Sequence, residues 1–511
     1  MEIEVSGSYR VIVLATFALY ILAILAIVFF SERAQKKGAT SRSFERTFFN
    51  GGRGIGGITL GLMMMATMLS SGTFVGTPGS AYQFGFCFAC TSLAAAFGFF
   101  FVLGGIGKKA GIVSRRIESV SLIGLIKNRF NNSNVLAVLL AVTFLLFLSS
   151  YSATQIVSGA RVFEVMTGKS YIIGLLLFGL VVGVYSFFGG MKSVASASIF
   201  QGIVMIGAVI ALVWGYVMYA NVHFGSLEAA LQSVANSREG MELLATYSPV
   251  WSPKMLISMI VMGAFSAMGL PHVVQGATTY KNTKALRTAL CVGIVVTALV
   301  NVFMAGVGPF IRAFNPNLDI SDYATPFLTF LTLPAPVAGV ILSGVAAAIQ
   351  STVAGMLLIL SATIAKDMVK DVFMPDISDK SLKKVSLASL VLCVIVVIIL
   401  SINPPELVQI MVLFAMGGMG SSIAMPLIFG FYWRRMNEYG AIAGISGGLI
   451  YYVLAGKYIP VLALGMNAYI MSTLVSIVCL IVGSLLTPPC PKGVIQVWFG
   501  KEYDKEFALR K

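Results

Sequence analysis

Charge is scarce in this 511-residue chain: Asp, Glu, Lys and Arg together make up 11% of it, where a soluble globular protein carries about a quarter. Histidine is nearly missing, with only His223 and His272, and no paired carboxylates lie inside the apolar runs. A catalytic or multi-histidine metal cluster therefore has no residues to draw on, and a membrane enzyme is disfavoured. Cysteine is sparse as well. Cys87-Phe-Ala-Cys90 has the spacing of a redox or metal pair but stands alone, so it and Cys291, Cys393, Cys479 and Cys490 read as ordinary buried thiols. What the chain does have is apolar sequence: 58% of it is hydrophobic and its mean hydropathy is +0.90, the composition of an integral membrane protein with many spans. The net charge of +15 does not mark a nucleic-acid surface, because the Lys and Arg sit in short loops between apolar runs, where they set topology.

Thirteen stretches have roughly the length that ~30 Å of hydrocarbon requires: 11–30, 54–82, 86–106, 134–160, 171–189, 195–219, 254–275, 288–312, 335–364, 384–402, 407–432, 440–456 and 467–487. The first is long enough to span and lacks a small-residue cleavage site, so no cleavable signal peptide is expected. Basic residues cluster after the first (Arg33, Lys36, Lys37, Arg42, Arg46), the third (Lys108, Lys109, Arg115, Arg116, Lys127, Arg129), the seventh (Lys281, Lys284, Arg287) and the eleventh (Arg434, Arg435). All these loops fall on one face, with the tail from Lys492 to Lys511; the opposite loops carry Glu228, Glu239, Glu242, Asp319 and Asp322. The positive-inside rule then puts the N-terminus outside and the C-terminus in the cytoplasm of a cell with this protein in its inner membrane, which an odd number of spans satisfies.

Two spans interrupt themselves. The second contains MATMLSSGTFVGTPGSAYQFG (65–85) and the seventh VMGAFSAMGLPHVVQG (261–276). They stand five spans apart and so enter the membrane from opposite sides, the signature of a transporter built from two inverted halves with its site at the midplane. A broken helix exposes carbonyl and N–H groups that lipid cannot satisfy, so they must meet a ligand or a cavity; taken singly, either break could also be a plain Gly/Pro kink. The expected segmentation is 1–50 (extra helix and loop), 51–250 (first repeat), 251–435 (second repeat) and 436–511 (two further helices and tail).

In the ninth span, GVAAAIQSTVAGMLLILSAT places Ala348, Ser351 and Thr352 on one helix face. Hydroxyl and carbonyl oxygens there could join the open carbonyls of the second span in an all-oxygen nest for a hard cation, although small residues are also ordinary packing material. Spans two, four, six and nine contain no charged residue in their interiors. Proton-coupled carriers relay through intramembrane carboxylates or histidines, and here only His272 is available, so sodium is favoured as the driving ion.

The whole chain resembles the sodium:solute symporter family, including its pantothenate- and proline-transporting members. SSGTFVGTPGSAYQFG (70–85) is similar to the family's broken first core helix, and GARVFEVMTG (159–168), GGMKSV (189–194), GLPH (269–272) and TTYKNTKAL (278–286) follow in the family's order. GFYWRRMNEYGAIAGISGG (430–448) resembles a family signature in which Arg435 precedes a Gly-Ala pair by five residues, with Phe431 in place of the usual aliphatic residue. The resemblance implies an all-helical leucine-transporter fold, a five-plus-five inverted repeat with one extra N-terminal and two extra C-terminal helices. It also implies a sodium site formed by backbone of Ala66 and Leu69 with Ala348, Ser351 and Thr352. Three positions depart from it. Ser198 stands where several relatives place an Asp for a second sodium, which points to one sodium per cycle; Met68 replaces an Asp of the proline-transporting members; and Gly276 replaces an Arg frequent in the pantothenate-transporting ones.

For the solute, the expected liners are Ser70, Ser71, Thr73 and Phe74 from the second span, Tyr151 and Gln155 from the fourth, and Gly269 and His272 from the seventh. Helix ends at the breaks offer partial positive charge, which suits a carboxylate. Tyr151 and Gln155 could equally be a satisfied buried tyrosine and an interhelical hydrogen bond. The expected function is sodium-coupled import of a small organic acid such as pantothenate, with Na+ as coupling ion, the bilayer as surroundings, no nucleic acid and a monomer as the working unit. Proline, another amino acid or a sugar-type solute is the alternative. A transporter-like sensor is more remote, since only about two dozen residues follow the last span.

Overall fold

The computed structural model describes residues 6–37, 55–235, 251–405 and 407–499. Arg42, Arg46, Glu239, Glu242 and the tail beyond Phe499, used above to orient the loops, lie outside the described residues. The regular secondary structure of the described part is all helical apart from one isolated parallel bridge, Ile55 with Tyr280.

Among the described residues, ten helices are long and apolar enough to cross a bilayer, and one bent pair passes the same test when its two parts are taken together. That pair is the expected second span: α1 (Gly57–Met68) followed by Gly72–Phe84, inclined at 59°. Of the thirteen expected crossings, the fifth and the seventh fall short of full length, as Tyr171–Val184 and Pro253–Gly269. The fifth runs on within one long helix, α2 (Tyr171–Phe224), whose other apolar part is Ser196–Phe224. The seventh is cut short by its break. The ninth is longer than expected and continues to Phe373 as α3 (Ala335–Phe373), because the charges it takes in are paired: Lys366 lies 2.9 Å from Asp367 and 2.7 Å from Asp371.

The ends of these elements are set by short polar residues. Ser133 accepts from the Leu136 amide to start α4 (Asn134–Thr167), and Ser252, followed by Pro253, starts α5 (Pro253–Phe265). Asn282 caps α6 (Thr283–Phe314) by accepting from the Ala285 amide. Of the ten full-length crossings, α3 sits deepest: its apolar window is entirely buried, whereas that of the first helix, Gly7–Ser31, is 28% buried. The central helix is thus the one that carries Ser351 and Thr352. Packing of α3 on α2 is close enough that a Cβ at Gly344 would stand 2.3 Å from that of Ala208, so a glycine is required there.

Of the two cysteines in the Cys-X-X-Cys stretch, Cys87 is buried and Cys90 is exposed, as is Cys291. The expectation that all six thiols are buried therefore fails for Cys90 and Cys291, and Cys479 is only half-buried: an apolar helix in a bilayer can turn a thiol outward without losing an apolar environment.

Candidate functional site

The first break is local in origin. After Met68 the backbone of Leu69 turns extended (φ −76°, ψ 96°), and the chain resumes as a π-helical turn over Gly72–Gly76 before α7 (Thr77–Phe84). Gly76 permits the close approach of Gln409, whose Oε1 would lie 2.2 Å from any Cβ placed there. The second break follows the same pattern. A 3-10 turn over Ser266–Gly269 leads to an extended Leu270 (φ −83°, ψ 111°), and Pro271 opens α8 (Pro271–Gly276). Ile55, just before α1, and Thr279–Lys281, just after α8, are joined by backbone hydrogen bonds of 3.3 and 3.0 Å. The two broken elements thus meet at one end of the molecule while running in opposite directions.

At the first break, α3 approaches with its hydroxyl face. Ser351 Oγ is 2.7 Å from the carbonyl oxygen of Ala66 and 3.1 Å from that of Ala348, and Thr352 Oγ1 is 3.2 Å from the carbonyl of Thr67. Ala66, Ala348, Ser351 and Thr352 are fully buried or nearly so. Three neutral oxygens therefore converge from two helices, and the Ser351 proton bonds the carbonyls that a cation would otherwise engage. Such a donor set fits a hard monovalent cation. Leu69, the fifth expected member, lies at the break itself: its backbone is extended, while its amide still donates to the Met65 carbonyl at 2.8 Å. Thr352 turns to Thr67, a contact that spacing alone could not reveal.

Beside this cluster lies a narrow cavity of about 80 Å3, tighter than the usual small-molecule site. Ser70, Thr73, Tyr151 and His272 line it. Ser70 Oγ is 3.3 Å from the Tyr151 hydroxyl, and the His272 ring meets the Tyr151 ring edge-on at 5.9 Å. The other four expected liners stand behind its wall. Gln155 Oε1 accepts from the Ser71 amide at 2.9 Å, so this pair stabilises the break. The Phe74 carbonyl accepts from Thr325 Oγ1 at 2.6 Å. Gly269 packs on backbone, where a Cβ would sit 2.5 Å from the Met419 carbonyl oxygen.

The amides at the first break are also taken: those of Gly72 and Thr73 donate to Ser70 Oγ (3.2 Å) and to the Ser70 carbonyl (2.9 Å). Ser70 and Gln155 thus occupy the amides of Ser71, Gly72 and Thr73. The buried polar atoms around the cavity that lack a protein partner are instead His272 Nδ1, Thr297 Oγ1 and Gln409 Oε1. Thr297 and Asn301 were missed in the sequence, although their i, i+4 spacing on an apolar α6 would have put them on one face. Among the described residues, no charged side chain lines this cavity.

A second cavity lies on the other side of α8, and His272 and Val273 line both. It contains Thr67, Ser198 and Ser351 and extends to Ile55 and Thr279. Beyond the first cavity, the segment between α6 and α3 is tied down. Asp322 forms a buried ion pair with Arg161 of α4 and accepts from the Val408 amide at 3.0 Å, while Arg161 also donates to the Pro405 carbonyl. Tyr323 donates to Glu164 at 2.8 Å. Burial pushes the Asp322 carboxyl up to about 6, against the opposing pull of Arg161 and of the Val408 amide. At the opposite end of α3, Ser121 Oγ donates to Asp367 at 2.6 Å and Lys127 to the Asp371 carbonyl at 3.1 Å.

Two broken helices around a cavity lined by neutral residues, an oxygen cluster on a fully buried central helix and buried ion pairs toward both ends of that helix are the frame of a multi-pass membrane transporter of the broken-helix type. The chain belongs to the sodium:solute symporter family, whose model matches residues 48–448. It is 31% identical over 478 residues to the sodium/pantothenate symporter of Escherichia coli (strain K12), covering 93% of this chain and 97% of that one. It is 26% identical over 486 residues to a sodium/proline symporter of Staphylococcus aureus (strain bovine RF122 / ET3-1), covering 92% of each. Its fold matches that of a Na+-coupled sialic acid symporter solved in a substrate-bound, outward-open state, with a TM-score of 0.76, 19% identity and coverage of 94% of this chain and 99% of the other.

Proposed function

We propose that the protein imports a small organic solute by alternating access, driven by sodium bound at the first break. The observation that carries this reading is the convergence of Ser351 Oγ with the carbonyls of Ala66 and Ala348 within 3.1 Å. That site is uncharged and buried, so it can select a cation without titrating. Leu69 and Thr352 complete the set. The arrangement is taken as thirteen crossings in a five-plus-five inverted repeat, with the N-terminus outside, the C-terminus in the cytoplasm and the segment around Asp322 facing out. The repeats occupy 51–250 and 251–435, and a monomer is the working unit. With the outer segment latched by Arg161 and Asp322, the path from the ion cluster runs inward through the second cavity.

The solute is proposed to be a small carboxylate such as pantothenate, held by Ser70, Thr73, Tyr151 and His272 on one side of the cavity and by Thr297, Asn301 and Gln409 on the other. The sodium/pantothenate relatives at 30–31% identity support it. Polar groups on both walls suit a solute with hydrogen-bonding atoms at both ends. Proline or another amino acid is the second reading, supported by the sodium/proline relatives at 26%. Thermal-shift measurements on the purified protein with pantothenate, proline and a sugar, in sodium and in potassium, separate these. Stabilisation by pantothenate in sodium alone is expected. Stabilisation by none of the carboxylates, or equal stabilisation in potassium, would count against the assignment.

A further inference from the structure

Directly behind the ion cluster, three uncharged polar side chains from three helices meet in the interior. Tyr20, from the first helix, donates its hydroxyl to Gln350 Oε1 at 2.9 Å, and Gln201 of α2 donates Nε2 to the same oxygen at 3.5 Å. Gln201 and Gln350 are at most 1% exposed and Tyr20 is 6% exposed. Gln201 Oε1 and Gln350 Nε2 have no further partner. Polar groups at membrane depth are costly to bury and are poor packing material compared with the Ala, Val and Ile around them, so this cluster calls for a reason beyond filling space.

Its position supplies one. Gln350 immediately precedes Ser351 on α3, about 100° around the helix, so the two side chains leave the same turn in different directions. Ser351 reaches forward to Ala66 while Gln350 is held from behind. The neighbour of Gln201 also belongs to the site's frame: a Cβ on Gly202 would stand 3.0 Å from Met65 Cε and 3.8 Å from the Ala66 Cβ. The Gln201–Gln350 contact therefore ties α3, which carries Ser351, to α2, which packs against the Met65–Ala66 turn of α1. Tyr20 is fixed in turn by stacking on Phe200, with ring centroids 6.3 Å apart. A binding constellation must be held within ~0.5 Å and ~10–20° to work, so a feature that fixes the rotation of α3 at the level of the ion cluster matters there. A hydrogen-bonded amide one residue from the ligand is such a feature.

We infer that Gln350 is a positioning residue for sodium: held by Tyr20 and Gln201, it fixes the rotation of α3 that presents Ser351 to Ala66. The first helix, outside the two repeats, thereby sets the ion affinity of the core. This inference rests on the sodium site proposed above. It is tested by sodium titrations of solute uptake in proteoliposomes for Gln350→Leu, Tyr20→Phe, the double variant and, as reference, Ser351→Ala.

The expected result is that Gln350→Leu raises the half-saturating sodium concentration at least threefold, with the apparent affinity for solute at saturating sodium unchanged. Tyr20→Phe, which removes one oxygen and no packing, shifts it in the same direction by a smaller factor. The double variant is no worse than Gln350→Leu alone, because both act through one contact. A merely structural role would lower the amount of folded transporter and the maximal rate and leave the sodium midpoint in place; that outcome in Tyr20→Phe and Gln350→Leu, alongside a shifted Ser351→Ala, overturns the inference alone. An unshifted Ser351→Ala removes the sodium site itself, and the inference with it. Should Gln350→Leu not fold, Tyr20→Phe decides between the same two results.

Discussion

Replacing Ser351 by Ala removes one oxygen from the proposed ion cluster, and the size of the effect can be worked from both states of the site. With the ion bound, the hydroxyl contributes as a neutral group facing a charge, on the order of 1.5–3 kcal/mol. Without the ion, the same hydroxyl is not idle, because it donates to Ala66 at 2.7 Å, a contact on the order of 0.5–1.5 kcal/mol. The difference leaves about 1–1.5 kcal/mol, or a roughly five- to thirteenfold rise in the half-saturating sodium concentration. Thr352 bonds Thr67 at 3.2 Å rather than the Ala66 carbonyl, so Thr352→Ala should give a smaller shift, and the double change at least tenfold. Sodium titrations of initial uptake rates, normalised to the amount of transporter, read these shifts directly. An unchanged midpoint in the double variant with normal protein levels would refute the reasoning and return this helix face to packing.

Three further outcomes are expected. With Ser198 in place of an acidic residue, a second sodium close to the first would face repulsion of about 3 kcal/mol at ~5 Å and an effective dielectric of ~20, so the sodium dependence of uptake should have a Hill coefficient near one; a flux ratio of two sodium ions per solute, measured isotopically at clamped potentials, would contradict this. Thr297→Val and Gln409→Leu should each raise the solute KM several-fold without moving the sodium midpoint at saturating solute, whereas an equal shift in both would make them structural. Asp322 sits at about 6 in the latched segment against an ordinary value of 3.8; if the carboxyl returns toward that value when the segment lifts into water, the proton binds the closed form better. Closure should then strengthen as external pH falls through 6 toward 4 and relax above 6, and Asp322→Asn should flatten the pH profile of uptake over that window.

Much of the scaffold was legible because membrane helices announce themselves by length and hydropathy, and because Gly-Leu-Pro and Ser-Ser-Gly-Thr inside apolar runs have few explanations but a break. The face Ala348–Ser351–Thr352 was legible for the same reason: helical spacing places it. Partners separated by long stretches of chain were not. Nothing local to Arg161 indicates that Asp322 lies against it, and nothing local to Gln155 indicates that it caps the amide of Ser71 rather than facing solute. Gly269 read as a ligand-side residue because it adjoins a break, yet its smallness serves the close approach of the Met419 backbone. Thr297 and Asn301 were hidden by dilution, two polar residues in a helix whose hydropathy was sufficient to explain it.

Solute entry is proposed to be driven by sodium held by neutral oxygens. This coupling is tested most directly in vesicles loaded without sodium, by comparing solute accumulation under an inward sodium gradient at equal pH on both sides with accumulation under an inward proton gradient in sodium-free buffer. Accumulation in the first condition and none in the second is the expected result. Accumulation driven by protons in the absence of sodium would contradict it.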